Sequence, residues 1–98
     1  MSLNTIPKFW DKKECWFCGS TRNLHLHHIY FAANRKISDK NGFTAYLCME
    51  HHTGSNGVHM NIENNLKLKR ACEQWYLNNG HTKAEFMQLI GHNYIFEQ

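Results

Sequence analysis

The chain has 98 residues with a formal net charge of +3 at pH 7, and 42% of its residues are hydrophobic. This length predicts one domain over residues 1–98, and the composition excludes a disordered chain; the small charge excess permits an anionic partner without requiring one. No apolar run approaches the roughly 20 residues of a membrane helix, so we expect no membrane association. The first ten residues lack a charged start followed by an apolar core, which predicts no signal peptide and a cytoplasmic location.

Two short pairs of metal-type residues frame the first half of the chain. Cys15 and Cys18 form a C-x-x-C pair, and Cys48 and His51 form a later C-x-x-H pair. Two such pairs supply the four ligands of a closed tetrahedral site, so we predict that these residues bind a structural Zn²⁺. Three alternatives stay open: the cysteines are small core residues, they form a disulfide, or His52 replaces His51 as fourth ligand.

Two strands are predicted between these pairs. The alternation in "LHLHHIYF" predicts a strand at Leu24–Phe31, and "FTAYL" predicts a second strand at Phe43–Leu47. The polar, basic segment between them ends in Asn41-Gly42, which is a hairpin turn signal. We therefore expect this segment to be a loop that joins an antiparallel β-hairpin.

Two helices are predicted after a loop rich in Gly, Ser and Asn. Apolar residues at helical spacing predict an amphipathic helix over residues 64–79, with Gly80 as its C-cap. A capping-box signature from Thr82 to Glu85 predicts the start of a second helix, which ends at Gly91. The predicted fold class is therefore α+β.

Histidines are the unusual feature of the composition, with eight in the chain. A structural zinc at the cysteines leaves unexplained the adjacent pair His27-His28 on the first strand, together with His52 and His59 after the second strand. These histidines either form a solvated surface or build a second, open metal site where the hairpin brings the two clusters together, and we favour the site. His25 shares a strand face with His27 and is either an extra ligand or a packed or surface residue, and we favour the packed or surface residue.

The segments "LHLHHIYF", "YLCMEHH" and "GVH" resemble the HNH endonucleases over about residues 15–60. Small phage-encoded nucleases linked to recombination are nearest in layout. The resemblance implies a zinc-stabilised ββα-metal core, also called the His-Me finger, at about residues 15–62, with two additional C-terminal helices at about 64–91. It also implies a metal-dependent DNA endonuclease that works in a bacterial or phage-infected host cell.

The resemblance also implies roles for single residues. His28 stands where the family has its general base, and an imidazole suits that role because it titrates near neutral pH. Phe43 stands where the family has its central asparagine, and Asn41 is offset from that place. The catalytic divalent ion is expected to be Ni²⁺, Co²⁺, Mn²⁺, Zn²⁺ or Mg²⁺. The family's ligand positions for this ion are matched by His27, His52 and His59.

Basic residues are the expected contacts to DNA, because Lys and Arg neutralise phosphates independently of sequence. The candidates are Arg35, Lys36 and Lys40 in the predicted loop and Lys67, Lys69 and Arg70 on the long helix. Each of them is equally well explained as an ordinary solvated charge. No base-reading element is visible, so we expect low sequence specificity. Two other functions stay open, namely a non-catalytic zinc-binding module that binds nucleic acid and a zinc-stabilised protein-interaction domain.

Overall fold

The computed structural model describes residues 7–95 of the chain. Residues 1–6, on which the signal-peptide prediction partly rests, and residues 96–98 lie outside the described residues. In chain order the elements are β1 (His25–His28), a 3₁₀ turn (Ala32–Asn34), α1 (Arg35–Asn41), β2 (Thr44–Leu47), α2 (Met49–His52), α3 (Ile62–Asn78) and α4 (Lys83–Ile90). This arrangement is a small α+β domain, which confirms the predicted fold class. Within residues 7–95, none of the helices combines the length and apolar character that a membrane crossing requires.

The two strands pair antiparallel, and their register places His25 opposite Leu47 and His28 opposite Thr44. Since side chains alternate along a strand, His25 and His27 lie on one face of the sheet and His28 on the other. The first strand is four residues long, which is shorter than the predicted Leu24–Phe31. The sheet therefore ends close to the adjacent histidine pair.

Ser38 explains why the first strand stops. Its buried hydroxyl donates a hydrogen bond to the carbonyl oxygen of Tyr30 at 2.6 Å and accepts one from the Tyr30 N–H at 3.0 Å. A side chain thus satisfies the two backbone groups that a neighbouring strand would otherwise pair. Ala32 then adopts a left-handed conformation, with φ of 59°, and the chain turns into α1.

The prediction of a loop between the strands was wrong, because helix α1 occupies this segment. The Asn41-Gly42 pair ends this helix and does not form a hairpin turn. Gly42 is its C-cap in a left-handed conformation, with φ of 73°. An added Cβ would collide with the carbonyl oxygen of Pro7, so only glycine fits this position. Arg35, Lys36 and Lys40 therefore lie on a helix.

The C-terminal helices follow their predicted caps closely. The side chain of Asn61 accepts a hydrogen bond from the Asn64 N–H at 3.0 Å, so α3 begins two residues earlier than expected. The capping box of α4 is confirmed: Thr82 N–H donates to the Glu85 carboxylate at 2.7 Å, and Glu85 N–H donates to the Thr82 hydroxyl at 3.1 Å. The C-cap of α3 is Asn79 and not the predicted Gly80, which follows it in a left-handed conformation with φ of 93°.

Aromatic side chains that flank the two strands pack with those of both C-terminal helices in the core. Phe43 is fully buried, and its ring lies 5.4 Å from that of Tyr30, 5.5 Å from that of Tyr76 and 6.2 Å from that of Phe86. Burial of these rings contributes the largest apolar areas in the domain. Phe43 is thus a core residue, whereas the resemblance matched its position to a central asparagine.

Replacement of Ser38 by alanine tests how the strand end is stabilised. We expect Ser38→Ala to lower the free energy of unfolding by about 1–3 kcal/mol, because two buried backbone groups of Tyr30 lose their side-chain partner. Urea unfolding of the zinc-loaded protein measures this change. Ser55→Ala, at an exposed position, is the matched control and should stay close to wild type. Equal unfolding midpoints for the two variants would contradict this account of the strand end.

Candidate metal centres

The two predicted pairs come together in space as a Cys3His group. The ligand atoms of Cys15, Cys18, Cys48 and His51 all lie within 4.8 Å of one another. The Cys18 and Cys48 sulfurs are 3.8 Å apart, and the His51 Nδ1 lies 3.3 Å from the Cys48 sulfur. Tetrahedral zinc, with bonds of about 2.3 Å to sulfur and about 2.0 Å to nitrogen, separates its ligand atoms by similar distances. This group can hold a metal ion, as a structural zinc site requires.

The disulfide alternative does not hold, since all four cysteines of the chain are free. A disulfide also needs a sulfur–sulfur distance of about 2.05 Å. Cys72, which is not part of the group, is fully buried in the core.

Backbone hydrogen bonds hold the cysteine group between the turn at residues 15–19, the knuckle, and the sheet. The Gly19 N–H donates to the Cys15 carbonyl at 2.8 Å, which closes the knuckle. The Trp16 N–H donates to the Tyr46 carbonyl at 3.0 Å, which attaches the knuckle to β2. Cys48 is the N-cap residue of α2, and His51 follows one helical turn later.

The protonation of the sulfurs is consistent with a cation between them. Burial raises the pKa of Cys15, but backbone hydrogen bonds from Cys48, Cys18 and Phe17 outweigh it, so the pKa is lowered overall. A backbone hydrogen bond from Ser20 lowers the pKa of Cys18, but desolvation and the neighbouring sulfurs raise it overall. The pKa of Cys15 is thus shifted toward the thiolate and that of Cys18 away from it, and a zinc ion bound between them would favour the thiolate form of both.

A second group brings together three of the remaining histidines. The ring nitrogens of His27, His52 and His59 lie within 4.8 Å of one another. The Nε2 atoms of His52 and His59 are 3.2 Å apart. Buried Nε2 of His27 has no hydrogen-bond partner, although a buried polar atom normally has one. A partnerless nitrogen beside two other imidazoles fits a metal-ligand role.

The protonation states of these histidines suit metal binding. Burial, followed by the nearby His52 and His59, lowers the pKa of His27 to about 3. Burial, followed by His59 and His25, also lowers the pKa of His52. Both imidazoles are therefore neutral at physiological pH, and each has a lone pair that can bind a cation.

The turn after α2 positions His59 against His52. The His59 N–H donates to the His52 carbonyl at 3.4 Å, and the Val58 N–H donates to the His51 carbonyl at 3.0 Å. Gly57 permits this close return, since an added Cβ would lie 2.6 Å from the His52 carbonyl group. The "TGSNG" segment thus folds back over α2. His52 faces His59 and not the cysteines, which leaves His51 as the imidazole of the Cys3His group.

His28 lies outside both groups. Its Nε2 is 3.3 Å from Oδ1 of Asp39, a residue on α1 whose side chain is 72% exposed. His28, Arg35, Lys36 and Asp39 line an open cavity of about 320 Å³. The sequence interpretation missed Asp39, because only a helix brings Asp39 to the same face as Arg35 and Lys36.

The six candidate DNA-binding residues are divided between two helices. Arg35, Lys36 and Lys40 are exposed on α1, and Lys67 and Arg70 are exposed on α3. Lys69 differs from them: its ammonium lies 4.6 Å from the ring of Phe31, and burial lowers its pKa. Phe31 in turn contacts the ring of His59 at 5.3 Å, so Lys69 lies near the three-histidine group.

His25 is closer to the histidine group than the sequence indicates. Its Nδ1 lies 2.9 Å from Nδ1 of His52, and the two rings meet nearly edge to face at 76°. We expected a packed or surface residue, and His25 is indeed exposed. Its position two residues before His27 on the same strand face is the signal for its proximity to the group.

Comparisons of the chain with protein-family models, with curated proteins and with solved structures give no match.

Removal of a cysteine ligand tests the Cys3His group. Cys15→Ser or Cys48→Ser should lose the zinc and unfold much of the domain. Structural zinc contributes about 10–16 kcal/mol of binding free energy, which equals or exceeds the stability of a typical domain. Elemental analysis and circular dichroism measure zinc content and folding, and Cys72→Ala is a control that should keep the zinc. A folded, zinc-free wild type would refute the structural role of the metal.

Proposed function

We propose that this protein is a metal-dependent DNA endonuclease of the HNH type, which hydrolyses phosphodiester bonds with low sequence specificity. The observation that carries the proposal is the buried Nε2 of His27, which lacks a hydrogen-bond partner and lies beside His52 and His59. A structural zinc at the cysteines does not use these imidazoles, and a binding module does not need them. A second, open metal centre would use these imidazoles as ligands.

The arrangement of elements supports a ββα-metal core. In this proposal β1 contributes His27, α2 contributes His52, and the turn before α3 contributes His59. A divalent ion bound there would supply positive charge to a scissile phosphate and to the leaving 3′-oxygen. The donor set fits such an ion, because its three ligands are neutral imidazoles.

His28 is the proposed general base, and Asp39 orients it. When the Asp39 carboxylate accepts a hydrogen bond from the His28 Nε2–H, the lone pair lies on Nδ1. Nδ1 then takes a proton from the attacking water, the water oxygen bonds to phosphorus, and the bond to the 3′-oxygen breaks. Arg35 and Lys36 line the same cavity, where their charges favour the binding of a phosphodiester.

A second candidate function is a non-catalytic zinc module that binds nucleic acid. Phe43 favours it, because a buried core ring stands where the HNH family has its central asparagine. The exposed basic residues of α1 and α3 serve this function equally well. Plasmid nicking with and without divalent ions separates the two functions, since a binding module retains DNA without cutting it.

The proposed base is tested by His28→Ala. We expect a loss of about 10²–10⁴-fold in nicking rate, because no other group replaces the proton acceptor. Zinc content, urea unfolding and DNA retention should match wild type. His81→Ala removes an exposed histidine that stacks on Tyr76 and should keep the wild-type rate. Unchanged cleavage in His28→Ala would remove His28 from the mechanism.

The ligand set also predicts which ions support cleavage. Imidazole ligands favour Ni²⁺, Co²⁺ and Mn²⁺, whereas Mg²⁺ prefers oxygen ligands, and the three-histidine group includes no carboxylate. We expect the first three ions to support nicking at lower concentration than Mg²⁺. His59→Ala should raise the metal concentration needed for half-maximal rate. Activity with Mg²⁺ alone would contradict an all-imidazole site.

A further inference from the structure

His52 has a different histidine neighbour at each of its two ring nitrogens. Its Nε2 lies 3.2 Å from Nε2 of His59, inside the three-histidine group. Its Nδ1 lies 2.9 Å from Nδ1 of His25. The two nitrogens of an imidazole point in diverging directions, so the two contacts lie on different sides of the His52 ring.

The chemistry of a metal-bound imidazole decides how the second contact works. An imidazole that binds a cation through Nε2 carries its proton on Nδ1. A proton at that position needs an acceptor, and the distance of 2.9 Å to His25 is that of a hydrogen bond. His25 then accepts through Nδ1 and carries its own proton on Nε2.

We infer that His25 is a positioning residue: it accepts a hydrogen bond from the Nδ1–H of His52 and so directs Nε2 of His52 toward His27 and His59. The inference rests on the proposed metal centre and not on the nuclease reaction. Metal-ligating histidines usually donate their second N–H to such a partner, which fixes both the tautomer and the orientation of the ring.

The strand explains how His25 and His27 both reach His52. They lie two residues apart on the same face of β1, which separates them by about 7 Å along the strand. The ring of His52 lies 5.0 Å from that of His25 and 5.2 Å from that of His27. His52 is therefore close to both: His25 contacts its Nδ1, and His27 belongs with it to the three-histidine group.

His25 is not a fourth ligand in this arrangement. The group whose nitrogens all lie within 4.8 Å of one another contains His27, His52 and His59 without His25. The nitrogen of His52 that faces His25 is also not the one that faces His59. One ion cannot bind both nitrogens of the same imidazole.

Loss of such a partner usually lowers metal affinity by about 10–100-fold. His25 is exposed, so water can partly replace the lost acceptor in a truncated variant. We therefore expect His25→Ala to weaken binding by about 10-fold, at the lower end of that range. The side-chain oxygen of asparagine lies near the place of a histidine Nδ1, so His25→Asn should restore most of the affinity.

The test is calorimetric titration of Co²⁺ at pH 7.5 into full-length protein that already carries one zinc per chain. Wild type, His25→Ala, His25→Asn and the control His81→Ala are compared. We expect one Co²⁺ site in each protein, an affinity about 10-fold lower in His25→Ala, and near-wild-type affinity in His25→Asn and His81→Ala.

Two results would overturn the inference. Equal affinity in wild type and His25→Ala would show that His25 does not support His52. Equal losses in His25→Ala and His25→Asn would show that His25 binds the ion directly or acts through its ring. The titration does not depend on DNA cleavage, so a protein that binds Co²⁺ as expected but does not nick DNA would contradict the proposed function alone.

Discussion

The three sulfurs and the imidazole nitrogen of the Cys3His group lie within 4.8 Å of one another. The positions of the knuckle, β2 and α2 depend on this close approach. A sheet of two short strands is marginally stable without further support. The knuckle is attached to β2 by a backbone hydrogen bond, to the core by the packing of Trp16 and Phe17, and to α2 by this group. A cation bound there would remove the repulsion between the sulfurs and hold together segments that are distant in sequence.

Neighbouring residues of α2 belong to different groups. His51 completes the Cys3His group, and His52 belongs to the three-histidine group. Because they are adjacent on one short helix, an ion bound at His51 would also fix the backbone of His52. The orientation of the second group would then depend on the first, and folding and the proposed chemistry would share one structural element.

Much of this arrangement follows from local sequence patterns. The spacing of the cysteine pairs indicates a tetrahedral group, and the capping box of Thr82 and Glu85 locates the start of α4. Helix α1 was missed because Asn41-Gly42 suits both a hairpin turn and a helix end, since each needs a left-handed residue. The spacing of His25 and His27 signals that His25 lies near the histidine group, but its contact with Nδ1 of His52, like the contact of Asp39 with His28, depends on tertiary packing that no pattern of neighbouring residues encodes.

Cys18 and Cys48 are separated by 30 positions in the sequence, and the chain that joins them includes β1, α1 and β2. The entropy of closing such a loop rises only with the logarithm of its length, so doubling it costs about 0.6 kcal/mol. The exposed turn before α1 can therefore accept inserted residues at small thermodynamic cost. Since α1 borders the cavity beside His28, evolution can vary the surroundings of that cavity without disturbing the metal ligands.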